Sequence, residues 1–384
     1  MTAPETSARS RSRLADAFVP ACSLLLLAAM LALVLGVAGK TLGYDFEAYA
    51  SAARRLVNGE KLYDSTVSLA GGFAIYLYPP PFALALTPLL LLPEAMARAV
   101  WVLAMGLCLP LGAALLPTRR NVRWAVVCLG ALSWPFLYSV KLGQVGPLLF
   151  VLFAAAWRWR QRATPLGAAI AIGVLVKVQP AILIPWAAVT GRWRAAAIAL
   201  VASAAAATVA TVFTGVSAWT DYAALLGRVS SAVATPHNCS PGAILYQAGL
   251  PEAVAEAGQL VSTALAAAAV LLIWRYGREE VGLLGTVVAS QLLTPLLWDH
   301  YAVILLLPTA WLLERGRSWA VAIPLLGWIP FFAFAGDGSP FWPATASVPL
   351  TFFGVLAVLL FEAHRERRTY GRRGPDAAYA APAE

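Results

Sequence analysis

Three separate apolar runs in this chain are each edged by a residue able to do chemistry. They are Asp45 in "GYDFEAYASAARRLVNGEKLYD", Lys177 in "LVKVQPAILIPWA" and the Asp299–His300 pair in "LLTPLLWDHYAVILLLP". A carboxylate within hydrogen-bond reach of a hydroxyl is a general base. An ammonium and an imidazole placed where negative charge develops stabilise a leaving phosphate or a similar oxyanion. Titratable groups beside apolar half-spans are costly to keep there, which makes them functional-site candidates by default. A fourth segment, "SVKLGQVGPLLF", sets Lys141, Gly143, Gln144 and Gly146 in one turn, where glycines permit close backbone approach to a ligand. Each feature has a structural alternative. Asp45 stands where a helix N-cap would stand, Lys177 could snorkel to an interface, and Trp298 and Tyr301 would anchor the Asp–His pair at a membrane boundary.

The elements that must carry these residues are helical. In the first segment Phe46, Tyr49, Ala50, Ala53, Leu56 and Val57 recur at helical spacing, while Glu47, Ser51, Arg54, Arg55 and Asn58 take the other face. This pattern predicts an amphipathic helix lying on the membrane surface, stopped by Gly59. Residues 165–190 lie between two basic clusters and are too few for two full spans, since about 12 helical residues cover only about 18 Å. Two short helices broken at 177–180 are expected, with Lys177 at the turn. Proline-bracketed residues 77–93 predict another half-helix. Such breaks are tolerated where backbone lines a cavity instead of facing lipid.

With 60% hydrophobic and 12% charged residues over 384 positions, the chain is an all-α polytopic membrane protein. Basic clusters at 9–13, 119–123, 158–162, 192–194, 275–278, 315–317 and 365–373 hold 20 of the 28 Lys and Arg. Taken as cytoplasmic, they predict spans at 18–38, 95–116, 124–140, 145–157, 195–214, 253–274, 282–297, 302–313, 319–335 and 348–361. With the half-helices, the bundle has about 12 transmembrane or half-membrane helices. The domain plan is a cytoplasmic tail over 1–17, a membrane domain over 18–363 with external loops at 40–79 and 215–252, and a disordered basic tail over 364–384. The same topology sends Asp45, Arg54, Arg55, Lys61, Lys141, Gln144, Lys177, Asp299 and His300 to the outer face, with all four lysines of the chain on that side. A mostly positive external cavity follows, suited to an anionic ligand.

The net charge of +9 lies in short clusters between apolar runs, so nucleic acid is not expected as a partner. The sequence has no Walker loop, no HExxH and no Cys/His cluster, and its four cysteines imply neither a disulfide framework nor a thiolate metal site.

Five segments in order, "YDFEAYASAARRLVNGEKLYD", "YLYPPPFALALTPLLLLP", "GQVGPLLFVLF", "LVKVQPAILIPWA" and "LLTPLLWDHYAVILLLP", resemble glycosyltransferase family 87, the polyprenyl-phosphate-mannose-dependent alpha-1,2-mannosyltransferases of the GT-C superfamily. The resemblance implies a GT-C-like bundle in the bacterial plasma membrane that moves a hexose, mannose in the family, from a polyprenyl-phosphate donor to a glycolipid or glycan acceptor. The site would face the external, periplasmic side, and the anomeric centre would invert. It assigns Asp45 as the catalytic base and His300 as a donor-phosphate contact and extends to Lys177 and Gln144, and Lys141, in the same turn as Gln144, joins the expected donor-phosphate contacts. Tyr49, Arg54, Tyr78, Gln179 and Asp299 are the candidates for binding or orienting substrate, while Trp219, Tyr222 and His237 in the second external loop are either sugar contacts or interfacial anchors. Neither a metal nor another cofactor is expected, since Glu47 lies on Asp45's own helix and Asp64 is remote. The competing expectation is a transporter or flippase of anionic lipid-linked substrates.

Overall fold

The computed structural model describes residues 5–63, 75–231, 237–277, 279–333 and 341–371. Asp64, the first four residues and the tail from 372 onward lie outside the described residues. Every regular element among them is helical. The chain runs through α1 (Glu5–Val37), α2 (Tyr44–Val57), α3 (Pro80–Leu86), α4 (Glu94–Leu115), α5 (Arg120–Ala131) and α6 (Trp134–Leu142). It continues through α7 (Gly146–Arg158), α8 (Ala163–Val176), α9 (Leu183–Val189), α10 (Trp193–Thr214), α11 (Ser217–Val229) and α12 (Pro241–Gln247). The last elements are α13 (Glu252–Tyr276), α14 (Glu279–Leu292), α15 (Leu306–Glu314), α16 (Ala322–Leu326), α17 (Trp342–Thr345) and α18 (Ser347–Gly371), with short 3₁₀ turns between several of them.

Five helical segments are long and apolar enough to cross a membrane: Phe18–Val37, Glu94–Leu115, Trp193–Thr214, Glu252–Tyr276 and Trp342–Arg368. A sixth is made if α5 and α6, bent by 64°, count as one span. The expected count of about 12 is not established by length; the remaining apolar helices are short, among them Pro80–Leu91, Ala163–Val176 and Gln179–Val189. The break expected at 177–180 falls between α8 and a 3₁₀ turn over Gln179–Ile182. Pro180 opens that turn because its fixed φ and missing N–H suit a helix start and not a helix interior. The expected span over 282–297 ends instead at Leu292, and the chain then turns and bends through residues 293–295 before a 3₁₀ turn over Asp299–Leu305. The tail departs from expectation too, since α18 stays helical to Gly371. Glu362 in it pairs with Arg317 at 3.3 Å and Arg365 at 3.1 Å, and Arg367 covers the Tyr276 ring.

α14 forms the centre. Every residue from Val281 to Leu292 is buried, as a helix apolar on all sides must be. Its polar side chains are satisfied locally: Thr286 and Ser290 donate to the carbonyls of Gly282 and Val287, and Trp274 donates to Thr286.

The basic clusters gather at one end. Arg119 donates to the Glu314 carboxylate through Nε at 2.9 Å and its backbone N–H at 2.8 Å. Arg160 and Arg315 share Glu280 at 2.8 and 3.3 Å, and Arg192 and Gln161 meet Glu279. Loops far apart in sequence are thereby tied together, and the opposite end is left to the titratable residues.

Candidate active site

α2 is placed by two glycines. Gly43, at φ +70°, occupies the N-cap, and its N–H donates to the Lys141 carbonyl at 2.8 Å. Gly143, also at φ +70°, ends α6, with the Gly43 Cα 3.5 Å from where its Cβ would stand. An added Cβ at Gly43 would stand 2.5 Å from the Arg98 side chain, and one at Gly143 would stand 3.1 and 3.2 Å from Phe46 and Trp101, so these glycines allow close packing within the protein. Asp45 is correspondingly not the N-cap; it is the second residue of the helix, inside the first turn, where a carboxylate is favoured by the helix dipole. Gly59 stops the helix at φ +70°, and the Glu60 N–H turns back to the Arg55 carbonyl at 2.8 Å. The apolar face of α2, expected on the membrane surface, is buried in protein instead: Phe46 stacks on Trp101, and Tyr49 meets Phe82 and Trp101 edge-on.

Tyr49 lies one turn beyond Asp45 on the same face. Its hydroxyl is 2.8 Å from that of Tyr78 and 3.1 Å from Gln144 Oε1. Tyr78 donates to Gln144 Oε1 at 2.8 Å, as does the Val145 N–H. With its oxygen so occupied, the Gln144 side chain makes its hydrogen bond to Asp45 through the amide nitrogen, the only donor it has. Gln144 thus serves the carboxylate, where a donor-phosphate contact was expected.

Burial lifts the Asp45 carboxyl above its ordinary value, while His300, the Gln144 hydrogen bond and Lys177 pull it down. Both basic side chains therefore act on the same carboxylate. The Lys177 Nζ sits 3.6 Å from the centroid of the Tyr301 ring and 5.8 Å from that of Tyr78. Among the described residues it forms no salt bridge, so aromatic faces hold this amine.

His300 is 4% exposed, and neither ring nitrogen has a hydrogen-bond partner. Asp299 does not supply one: its Oδ1 is 3.5 Å from Nδ1, too far for a hydrogen bond, and accepts the His300 backbone N–H at 2.8 Å. Its Oδ2 accepts from Trp134 Nε1 at 3.1 Å. Asp299, the first residue of the 3₁₀ turn, therefore satisfies a backbone N–H within it, and the imidazole is oriented by rings. Trp298 lies nearly parallel to it at 16°, while Tyr301 and Tyr138 meet it edge-on.

The extended segment before His300 is pinned from the second expected loop. Asn238 accepts from the Leu297 N–H at 3.0 Å and donates to the Pro295 carbonyl, and the Cys239 N–H donates to the Leu297 carbonyl at 2.7 Å. Gln179 joins it by donating to Thr294 at 3.2 Å, which leaves its Oε1 buried without a partner.

Lys141 is half-buried, with Nζ 5.6 Å from the Tyr138 centroid, beside the site. Arg54 is not brought to it. Nine residues beyond Asp45, it points about 180° away around the helix and pairs with Glu47 at 2.7 Å and Glu94 at 3.4 Å. Glu47 is likewise about 200° from Asp45 and is held by Arg54 and Arg98. Among the described residues, no three His, Cys, Asp or Glu side chains stand close enough to hold a metal ion. Tyr222 stacks on Tyr63 in the interior, and Trp219 donates to Thr211. His237 is close enough to feel the charge of Asp299.

Sequence reasoning gave no chemical role to Tyr301, Trp134, Tyr138 or Trp298. The signal was present in "WDHY", an aromatic on each side of the titratable pair, but it equally describes an interfacial belt.

The family model for glycosyltransferase family 87 matches residues 76–298, more than half of the chain. The match contains Tyr78, Lys141, Gln144, Lys177 and Gln179; Asp45, Asp299 and His300 lie outside it. No curated protein matches the chain. The order of the matched segments and the all-helical apolar architecture agree: this protein is a membrane glycosyltransferase and belongs to glycosyltransferase family 87.

Proposed function

We propose that the protein transfers a hexose, mannose by the resemblance noted above, from a polyprenyl-phosphate donor to an acceptor hydroxyl, with inversion. One observation carries this: Asp45 shares its surroundings with two basic side chains, His300 and Lys177, which are held by aromatic rings and not by a salt bridge at hydrogen-bond distance. A carboxylate facing an imidazole and an amine that no carboxylate pairs suits a reaction that removes a proton on one side of a carbon while negative charge develops on the other.

The acceptor oxygen attacks the anomeric carbon as its proton passes to Asp45, and the bond from that carbon to the phosphate oxygen breaks. The electron pair leaves with the polyprenyl phosphate, whose added charge is met by Lys177 and an imidazole N–H of His300. Gln144 is a positioning residue in this scheme, since Tyr78 and the Val145 N–H fix its oxygen and so aim its nitrogen at Asp45. Tyr49 supports the same array, and Lys141 stands at its edge for the donor phosphate or the acceptor. Asp299 acts on His300 through the backbone turn. Basic loops at the far end support placing the site on the external side of the bacterial plasma membrane, with 18–363 as one catalytic unit.

Membranes containing the protein, incubated with labelled polyprenyl-phosphate hexoses and glycolipid or glycan acceptors, are expected to yield a product of inverted anomeric configuration. A purified, folded Asp45→Asn variant that transfers sugar at the native rate would remove the base assignment. Translocation of the lipid-linked sugar without transfer would favour a flippase.

A further inference from the structure

The end of the molecule opposite the candidate site carries a cavity that the reaction does not use. It has a volume of about 300 Å³ and lies between the last turns of α4 and the start of α5. Ala113 and Val127, both buried, form its floor with Pro110; Trp124 stands at its side, and Arg120 and Arg123 approach from the basic loop. α4 is 22 residues long, about 33 Å. Its first residue, Glu94, joins the ion pairs around α2, so nearly a full span separates the cavity from Asp45.

The arginines of this cluster are used differently. Arg119 is fully engaged by Glu314, through its side chain and its backbone N–H. Arg123 is half-buried, its Nε has no partner, and among the described residues it forms no salt bridge. A guanidinium over an apolar floor, with an indole beside it, is suited to a phosphate whose remaining surface is hydrocarbon. The path for that hydrocarbon is continuous with the cavity. Leu103, Leu107 and Leu111 on α4 are 57%, 60% and 58% exposed and lie at i, i+4 and i+8, on the face that carries Ala114 at the cavity wall.

The geometry points to a binding site for an anionic phospholipid, its phosphate on Arg120 and Arg123 and one acyl chain along the leucine face of α4. Its occupant is a membrane lipid and not a free phosphate, because a soluble anion has no use for the leucine stripe. The site is independent of sugar transfer.

The test uses the full chain, purified in detergent and titrated with phosphatidylglycerol, phosphatidylcholine or glycerol 3-phosphate while bound ligand is counted by native mass spectrometry. Retention of phosphatidylglycerol over both others is expected. Arg120→Ala/Arg123→Ala is expected to weaken it by about tenfold or more, two cations near one anionic headgroup being lost. Ala114→Phe, which fills the cavity wall and leaves every charge in place, is expected to weaken it as well, and it decides the matter should the double variant fail to fold. Undiminished phosphatidylglycerol retention in Ala114→Phe, equal retention of phosphatidylcholine, or equally tight binding of glycerol 3-phosphate overturns the assignment.

Discussion

The ion-paired basic end of this bundle and the buried interior of the candidate site handle charge in opposite ways, while on the other face of α2 Arg54 and Arg98 pair with Glu47 and Glu94. At the basic end Glu279, Glu280, Glu314 and Glu362 each meet at least one arginine, and these pairs join five loops. At the other end His300 keeps both ring nitrogens unpartnered, Lys177 rests on Tyr301, and Asp45 is raised by burial against the pull of its neighbours. Ion pairs near a surface are individually weak and hold shape by number. Buried groups without partners oppose folding, and such an arrangement persists where a ligand completes it. The difference separates ion pairs that hold the bundle together from a buried interior that, on the function proposed above, awaits a charged substrate.

Asp45→Asn tests that contrast most severely. Transfer is expected to fall by about 10²- to 10⁴-fold, the usual contribution of a general base, with the helical circular dichroism spectrum unchanged. The same variant is expected to melt higher than the parent at neutral pH. The folded carboxyl is raised above its ordinary value, so its stabilising effect is complete below the unfolded value and is lost as pH rises through the folded one. The gap in melting temperature should therefore close on acidification; a variant less stable than the parent at pH 7 contradicts the burial argument.

His300→Ala is expected to lower the turnover of a polyprenyl-phosphate sugar by about 10²-fold or more, as for loss of one group that stabilises developing charge. Single-turnover measurement separates that effect from weaker donor binding. A loss confined to donor affinity would assign the imidazole to ground-state binding.

A subtler effect is expected from Gln144→Glu. With its neighbours unchanged, the new carboxylate faces Asp45 and pushes it further upward, so the acid limb of the pH–rate profile moves to higher pH. Activity falls as pH drops through the Asp45 value because only the ionised carboxylate accepts a proton. An unmoved limb would mean that Gln144 does not govern the base. The smallest change belongs to the basic end. Arg119 is well exposed, so Arg119→Gln is expected to cost under about 1 kcal/mol and to leave transfer intact, as measured by thermal melting beside the same assay.

The local features of the chain were legible in its residues because helix periodicity, proline and glycine act over a few positions. The helix of α2, its stop at Gly59, the break at Lys177 and the proline-led half-helix all follow from such short-range chemistry. So does the gathering of basic loops, since charge is costly in lipid and several spans must share each side. The partners of each side chain were not legible. Periodicity placed Asp45 and Tyr49 on one face, yet Arg54 was expected at the site although the same helix turns it toward Glu94. Gln144 was expected to meet phosphate, and its oxygen is taken by a tyrosine 66 residues earlier in the chain. Asp299 was a candidate for binding or orienting substrate, and it accepts hydrogen bonds from the His300 backbone N–H and from Trp134.

The sequence by itself determined which segments are helical, where they break and which carry the titratable groups, because those properties depend on neighbours within a turn or two. Only the tertiary structure decided that Lys177 and His300 both act on Asp45, that rings and not carboxylates hold those two side chains, and that a glutamine is aimed at the Asp45 carboxylate. Those relations join Asp45 to residues 99, 132 and 255 positions away, and the packing of helices, which no local pattern encodes, sets them.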